Sequence, residues 1–389
     1  MNQNQTSYIS KQVADLKPSG IRRFFDLAAQ MDDVISLGVG EPDFVTPWNF
    51  IEQSFHALEQ GYTSYTENAG MLELREEISK YLKNYHLTYD PAEQLIVTVG
   101  ASQAIDLALR AVVEPGDEVI VVEPSFVAYV PTVSLAGGKP VTIQSKPENE
   151  FKLTPEQIEE AVTPKTKAII LCNPNNPTGT FLAHEELEQI AEVIEKHNLL
   201  VLSDEIYAEL TYDETYTSFP AIGRMKDRTI LISGFSKAFA MTGWRLGYAA
   251  GPPEIIAAMV KIHQYTMMCA PTIAQHAALE AMKNGRQSVQ DMFESYKQRR
   301  NFIVSSLNEI GLTCPNPGGA FYAFPSIKAT GLSSAEFAEE LLKEEHVAVV
   351  PGEVFGASGE GYIRCSYATS LKQLDEAMER MKRFVEKRI

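Results

Sequence analysis

Lys237 and Arg245, eight residues apart, are the side chains of this sequence best suited to chemistry on an anionic ligand. Lys237 follows the apolar, β-branched run 229–232, which predicts a buried strand. Open α/β sheets bind ligands beyond the carboxyl ends of their strands, so we expect Lys237 to face a site. Its amine could act as a nucleophile, and Arg245 could bind a phosphate. Two solvated cations beside a loop are the alternative, and the other motifs decide between the two interpretations.

A strand, a turn of small residues and a helix are predicted over residues 95–109. The free N–H groups at the start of such a helix bind phosphate well. Small residues such as Ala101 let a phosphate approach the backbone, and Ser102 can add a hydroxyl. Turns of this kind are common, so this motif carries weight only together with others.

Two further predicted strands end in groups suited to an aromatic, cationic ring. Run 168–172 precedes a loop that two prolines and a glycine make rigid, and Asn176 in this loop could donate to a phenolate oxygen. Run 199–203 leads to Asp204, a carboxylate that needs a partner at the end of a buried strand. A pyridinium nitrogen would be such a partner. A helix N-cap is the alternative role for Asp204, and Glu205 competes for the contact with the ring.

These motifs, in this order, resemble those of the class I aminotransferases, the pyridoxal-phosphate enzymes of fold type I. The resemblance covers nearly the whole chain. It implies an α/β fold with a large domain, whose mostly parallel seven-stranded sheet lies between helices, and a smaller α+β C-terminal domain. We expect residues 1–45 to form an N-terminal segment at the substrate mouth, 46–285 the large cofactor-binding domain, and 286–389 the small domain.

The resemblance also implies a role for each candidate residue. Lys237 would hold pyridoxal phosphate covalently and act as the general base, and Asp204 would pair with the ring nitrogen. Arg364 interrupts the predicted strand 362–366 and would grip the substrate α-carboxylate, with a structural salt bridge as the alternative. Further cofactor contacts are expected from Asn176, Tyr207, Arg245, Ala101, Ser102, Phe126, Tyr65 and Ser236, and further substrate contacts from Gly40, Asn176 and Arg22.

Two of the aromatic candidates, Phe126 and Tyr65, also have simpler alternative roles. The resemblance places Phe126 on the face of the pyridine ring, where many relatives carry Tyr or Trp; a plain core phenylalanine is the alternative. It places Tyr65 on the phosphate of the neighbouring subunit's cofactor, whereas ordinary surface packing would be the simpler role. We therefore expect a homodimer with a shared active site.

The expected activity is amino transfer between an L-amino acid and a 2-oxo acid in two half-reactions. Some aspartate-specific members carry a lysine at the position of Ser102, so alanine is the favoured donor, with aspartate still open. Arg22 or Arg23 could supply a cation for 2-oxoglutarate, the expected acceptor. A carbon–sulfur lyase on the same fold remains an alternative. A ligand-sensing regulator is disfavoured by the short segment before the first strand, and a dinucleotide oxidoreductase by the missing third glycine after Gly40.

Composition limits the partners of the protein. The 389 residues carry a net charge of −17, which argues against nucleic acid or an anionic membrane as the main partner. The four cysteines have no paired spacing, so neither a disulfide nor a metal site is expected. No apolar run approaches the roughly 18 residues of a membrane span. These features predict a soluble, cytoplasmic protein.

Overall fold

The computed structural model of the chain describes residues 8–16, 20 and 31–389. The strands are β1 (Ile35–Ser36), β2 (Leu95–Thr98), β3 (Glu118–Glu123), β4 (Lys139–Gln144), β5 (Thr166–Cys172), β6 (Leu200–Asp204), β7 (Thr229–Gly234), β8 (Gly247–Ala250), β9 (Tyr322–Ala323), β10 (Val347–Ala348), β11 (Val350–Pro351) and β12 (Ile363–Ser366). The helices are α1 (Lys11–Ala14), α2 (Trp48–Glu59), α3 (Leu72–Leu82), α4 (Gly100–Val112), α5 (Tyr129–Leu135), α6 (Pro155–Ala161), α7 (His184–Lys196), α8 (Pro253–Thr266), α9 (Thr272–Asn284), α10 (Arg286–Glu309), α11 (Ser334–Glu345) and α12 (Leu371–Val385).

The large sheet has seven strands in the order β2-β8-β7-β6-β5-β3-β4. The five strands from β7 to β4 are parallel, and β8 is antiparallel to both of its neighbours. The predicted mostly parallel, seven-stranded sheet is confirmed. Because β8 is antiparallel to both β2 and β7, β2 and β7 run in the same direction. The carboxyl ends of β2, β3, β5, β6 and β7 therefore meet at one edge of the sheet.

Apolar runs form the central strands because helices cover both faces of the sheet. In β5, Ile170 packs into a cluster with α4 and α8, while Ile169 and Leu171 pack into a cluster with α7 on the opposite face. All three side chains are at most 4% exposed. This double cover leaves the edges of the sheet as the place where polar side chains can meet a ligand.

A smaller antiparallel sheet, in the order β11-β12-β9, faces the carboxyl edge of the large one, and β1 pairs with β10 beside it. Helices α10, α11 and α12 share one apolar cluster with these strands. Arg364 lies on the central strand β12, opposite Val350 of β11. The boundaries at residues 45 and 285 stay a prediction.

The sequence predicts strands over 320–324 and 347–350 in this region, because both runs are apolar, and both predictions are wrong in extent. The run 320–324 is reduced to two residues, because Ala320 has a φ of 59° and Pro325 has no N–H to donate. The run 347–350 is divided between β10 and β11, which belong to different sheets. A Ser or Thr followed three residues later by Glu or Gln predicts capping boxes at Thr154, Ser333 and Ser370, and the first two are confirmed.

The third predicted capping box is only half formed. Ser370 accepts a hydrogen bond from the Gln373 N–H, but the Gln373 side chain bonds to Thr369. The helix predicted over 20–28 lies, apart from Gly20, outside the described residues. Within the described part of the chain, no helix is long and apolar enough to cross a membrane.

Candidate active site

A cavity of about 410 Å³ opens at the carboxyl edge of the large sheet, where it meets the smaller sheet. It brings together most of the predicted site residues: Gly40, Ala101, Ser102, Phe126, Asn176, Asp204, Tyr207, Ser236, Lys237, Arg245 and Arg364. Tyr65 is not among the lining residues and is 76% exposed on the surface. Arg22 lies outside the described residues.

Lys237 lies three residues beyond β7 and points into this cavity. Its Nζ donates to the carbonyl of Gly40. Burial and, to a smaller extent, the nearby charge of Arg364 lower the pKa of Lys237 to about 8, although Glu41 and Asp204 oppose the shift. An appreciable fraction of this amine is therefore unprotonated near neutral pH, which suits a nucleophile or a general base.

Arg364 is a buried cation without an acidic partner among the described residues. It is 4% exposed, and its Nη1 and Nη2 donate to Asn176 Oδ1 at 2.9 Å and to the Gly38 carbonyl at 2.7 Å. The guanidinium lies over the rings of Tyr322 and Phe355, at 4.5 and 4.8 Å from their centroids. Its Nε has no hydrogen-bond partner.

The alternative of a structural salt bridge at Arg364 finds no support in the described part of the chain. Burial lowers the pKa of this guanidinium, which shows that the position is unfavourable for a charge without a counter-ion. A ligand carboxylate would provide the counter-ion in a bidentate pair.

Asp204 closes β6 and is 5% exposed. The hydroxyl of Tyr129 donates to its Oδ2 at 2.7 Å, and the N–H of Ile206 donates to its Oδ1 at 3.2 Å. Burial raises the pKa of this carboxyl, while the two donors and the charge of Lys237 oppose the shift. Asp204 therefore offers the cavity a carboxylate that is held in place by two hydrogen bonds.

Glu205, the competing acid, lies outside the cavity lining. Its carboxylate accepts hydrogen bonds from the hydroxyls of Ser203 and Ser218, at 2.8 and 2.6 Å, and from the N–H of Phe219. It therefore ties β6 to the turn at residues 218–219 rather than facing a ligand.

The start of α4, Arg245 and two glycines form an anion-binding corner. The first turn of α4 has no side-chain cap, so its N–H groups are free for a ligand. A Cβ on Gly247 would lie 2.5 Å from the N of Ala101, and one on Gly100, whose φ is +77°, would lie 2.7 Å from Nη2 of Arg245. Arg245 itself has a φ of 53° and no acidic partner among the described residues. Because these glycines have no side chain, the N–H groups at the start of α4 and the guanidinium of Arg245 lie close together and could bind the same anion.

The lining residues that were not predicted from the sequence include Tyr129, Cys172 and Tyr322. Tyr129 lies three residues after Phe126, and this spacing is the one feature of the sequence that could have identified it as a site residue. Tyr322 lies on the short strand β9, and its hydroxyl is 2.8 Å from that of Tyr207. Among the described residues, no cluster of acidic, histidine or cysteine side chains could hold a metal ion.

Comparisons with known proteins agree on one family. Residues 32–381 match the family "Aminotransferase class I and II". The chain is 65% identical to the putative aminotransferase YugH of Bacillus subtilis over 98% of this chain and 99% of that protein. It is 48% identical to an aspartate aminotransferase of Pyrococcus abyssi over 95% and 96% of the two chains. The crystal structure of an aromatic aminotransferase from Pyrococcus horikoshii superposes with a TM-score of 0.90, at 46% identity, over 95% and 99% of the two chains.

Proposed function

Because the chain belongs to the class I and II aminotransferases, we propose that it moves the amino group of L-alanine to 2-oxoglutarate in two half-reactions. The family depends on pyridoxal phosphate, and the protein is accordingly a pyridoxal-phosphate-dependent transaminase. One observation carries the proposal: the amine of Lys237, the carboxylate of Asp204 and the unpaired guanidinium of Arg364 face the same cavity.

The donor set of the cavity fits this cofactor. The corner formed by Arg245, Ala101, Ser102 and Ser236 suits a dianionic phosphate, because it combines a guanidinium with free N–H groups and hydroxyls. Asp204 suits a protonated ring nitrogen, since a buried carboxylate needs a cation. The two glycines that bring backbone and guanidinium together would not tolerate a Cβ, as expected where a ligand needs the space.

The remaining contacts of the ring follow from the same lining. We assign the ring oxygen to the amide of Asn176 and the hydroxyl of Tyr207, and the ring face to Phe126. Lys237 is the covalent attachment point, since its amine is the one primary amine among the described lining residues.

When bound, pyridoxal phosphate supplies an electron sink that stabilises negative charge on the substrate Cα. Arg364 fixes the substrate carboxylate and so orients the Cα–H bond. Gly40 contributes its backbone beside that carboxylate. Lys237 would hold the cofactor at rest, and its Nζ, once the substrate amine has displaced it, would act as the general base that removes the Cα proton. Asp204 would pair with a protonated ring nitrogen and so stabilise the negative charge that develops on the substrate.

The preference for alanine rests on the number of cationic side chains in the cavity lining that could bind a carboxylate of the substrate. The described lining holds three cationic side chains, Lys237, Arg245 and Arg364, and each of them already has a role. The short side-chain carboxylate of aspartate would find no further cation among these residues, and Glu41 at the mouth would repel it. The Arg22 contact proposed below serves the longer 2-oxoglutarate and glutamate, the amino acid formed from it. The relatives include proteins named for aspartate and for aromatic amino acids, so these are the competing donors.

The acceptor 2-oxoglutarate carries a second carboxylate and needs one more cation. We propose Arg22 for this contact. Arg22→Ala should raise KM for 2-oxoglutarate at least tenfold and leave KM for alanine within twofold of the wild type. An equal effect on both substrates would contradict the assignment.

We further propose a homodimer in which Tyr65 reaches the phosphate of the partner subunit's cofactor. The surface around Tyr65 supports it: Trp48, Phe55, Tyr62 and Met268 expose between 45% and 65% of their area on α2, on the 62–68 loop and on the turn after α8. These segments pack together, as the Asn68–Met268 hydrogen bond at 2.7 Å illustrates. Exposed apolar surface of this kind is typical of a protein–protein interface.

The test is the visible absorbance of the cofactor-loaded protein, recorded before and after alanine, aspartate, glutamate or phenylalanine is added singly. We expect alanine to convert the spectrum to that of the aminated cofactor with the highest kcat/KM, and 2-oxoglutarate to reverse the change. Faster conversion by aspartate or phenylalanine would refute the proposed donor. Release of pyruvate, ammonia and hydrogen sulfide from cysteine, added without an acceptor, would indicate a carbon–sulfur lyase instead.

A further inference from the structure

Tyr129 contacts both groups that we assign to the pyridine ring. Its hydroxyl donates to Oδ2 of Asp204 at 2.7 Å, and the side chain is 2% exposed. Its ring meets that of Phe126 edge-on, with centroids 5.6 Å apart and planes at 80°. Tyr129 is also the first residue of α5, so the helix fixes the backbone that carries it.

The surroundings of Asp204 leave Tyr129 as a donor only. The groups that face the carboxylate are Tyr129, Cys172, the N–H of Ile206 and the amine of Lys237. Burial and the Asp204 charge raise the pKa of the Tyr129 phenol and of the Cys172 thiol well above their ordinary values. Both therefore stay protonated and neutral, and the negative charge of this corner stays on Asp204.

We propose that Tyr129 is a positioning residue that holds the Asp204 carboxylate against the ring nitrogen of the cofactor and thereby sets the affinity for pyridoxal phosphate. This inference rests on the assignment of Asp204 in the proposed function. With Tyr129 on Oδ2 and the Ile206 N–H on Oδ1, both oxygens are anchored, so the carboxylate plane cannot turn away from the ring. Without the phenol, one oxygen loses its charge-assisted hydrogen bond inside a buried site.

The experiment compares two ligands of the cofactor-free protein: pyridoxal phosphate, and its analogue in which a CH group replaces the ring nitrogen. The wild type should bind pyridoxal phosphate more tightly, because the analogue offers Asp204 no proton. Tyr129→Phe should weaken the binding of pyridoxal phosphate roughly tenfold, as expected for one lost hydrogen bond to a charge. Its affinity for the analogue should stay within twofold.

A matched control is Tyr85→Phe. Tyr85 also donates to a carboxylate, that of Glu209 at 2.6 Å, but outside the cavity lining. This variant should lower the thermal stability of the protein and leave the affinity ratio of the two ligands unchanged. In an Asp204→Asn background, Tyr129→Phe should have no further effect on that ratio.

Three results would overturn the inference. Equal weakening of both ligands by Tyr129→Phe would mean general damage to the cavity. An undiminished preference for pyridoxal phosphate in Tyr129→Phe, or a further loss in the Asp204→Asn background, would mean that Tyr129 does not act through Asp204. If the wild type itself bound both ligands equally well, the assignment of Asp204 to the ring nitrogen would be wrong. A failure of the proposed function can therefore be distinguished from a failure of the Tyr129 inference alone.

Discussion

Replacing Arg364 with lysine tests the proposed substrate contact most directly, because the charge remains and the geometry is lost. The guanidinium now donates to Asn176 and to the Gly38 carbonyl from two different nitrogens. Lysine offers a single nitrogen and cannot form two parallel bonds with a carboxylate. A hydrogen bond to a charged group contributes about 1.5–3 kcal/mol, so we expect a loss of about 2–3 kcal/mol in the transition state. That corresponds to roughly a 30- to 150-fold fall in kcat/KM for alanine.

The assay separates substrate binding from cofactor binding. Steady-state kinetics with alanine should show the fall in kcat/KM, while the dissociation constant of pyridoxal phosphate changes less than threefold. The control is Arg300→Lys, since Arg300 is also buried, at 2% exposed, and lies 4.7 Å over the Tyr212 ring. Arg300 pairs with Asp213 outside the cavity lining, so this variant should lose stability and keep its KM.

Two results would refute this reasoning. Arg364→Lys could retain kcat/KM within threefold of the wild type while holding its cofactor, in which case Arg364 does not bind the substrate. It could instead lose cofactor affinity in proportion to activity, and the arginine would then serve the cofactor.

Three further predictions address the lysine, the phosphate corner and the dimer. Lys237→Ala should abolish turnover. In the cofactor-free protein, the pKa of Lys237 is about 8 in the folded state, against 10.5 for an ordinary lysine in the unfolded chain. Between these pH values the unfolded chain binds more protons than the folded protein, so the free energy of unfolding rises with pH. Lys237→Met should remove that rise, at most about 3 kcal/mol in urea unfolding at pH 10 relative to pH 7; an unchanged rise would contradict the burial argument. Gly247→Ala places a Cβ 2.5 Å from the N of Ala101 and should cost about 1–3 kcal/mol of stability and weaken cofactor binding, whereas Gly243→Ala, with no neighbour within 4 Å, should do neither. Mixing Tyr65→Ala with Lys237→Ala subunits should restore about a quarter of the wild-type activity by forming heterodimers with one intact site; no recovery would argue against a shared site.

The sequence already implied that the candidate residues at strand ends would lie close together, and they line one cavity; their roles stay a prediction. Asp204, Asn176 and Lys237 each follow an apolar run, and parallel strands bring their carboxyl ends to one edge, so the order of the motifs already implied their proximity. The residues alone left the choice between Asp204 and Glu205 open; the resemblance favoured Asp204, and the structure places Asp204 but not Glu205 in the cavity lining. Alternate side chains of a strand point to opposite faces, and the sequence does not tell which face the cavity occupies.

Residues that reach the cavity from other directions were not predictable in this way. Tyr129 enters from the first turn of α5, and Tyr322 from a two-residue strand whose limits depend on the φ of Ala320. Both roles depend on packing between segments far apart in sequence: the partner hydroxyl of Tyr322 belongs to Tyr207, 115 residues away. Local patterns carry no information about such pairs. The domain boundaries and the roles of Tyr65 and Arg22 stay predictions for the same reason.

Two arginines of the cavity lining, Arg245 and Arg364, have no acidic partner among the described residues, and they differ in burial. Other buried arginines of the described chain are neutralised within it: Arg75 pairs with Glu67 and Arg299 with Asp43. Arg364 and Arg245 have no such partner there, and they belong to different elements, β12 of the smaller sheet and the turn before β8 of the large one. Arg245 is exposed, so water solvates its charge, whereas Arg364 is buried and its charge is unfavourable until an anion arrives. On the proposed assignment, a cofactor phosphate at Arg245 would leave Arg364 without a counter-ion, and the substrate carboxylate would supply it. Substrate binding should therefore stabilise the contact between the two sheets as well as orient the reacting bond.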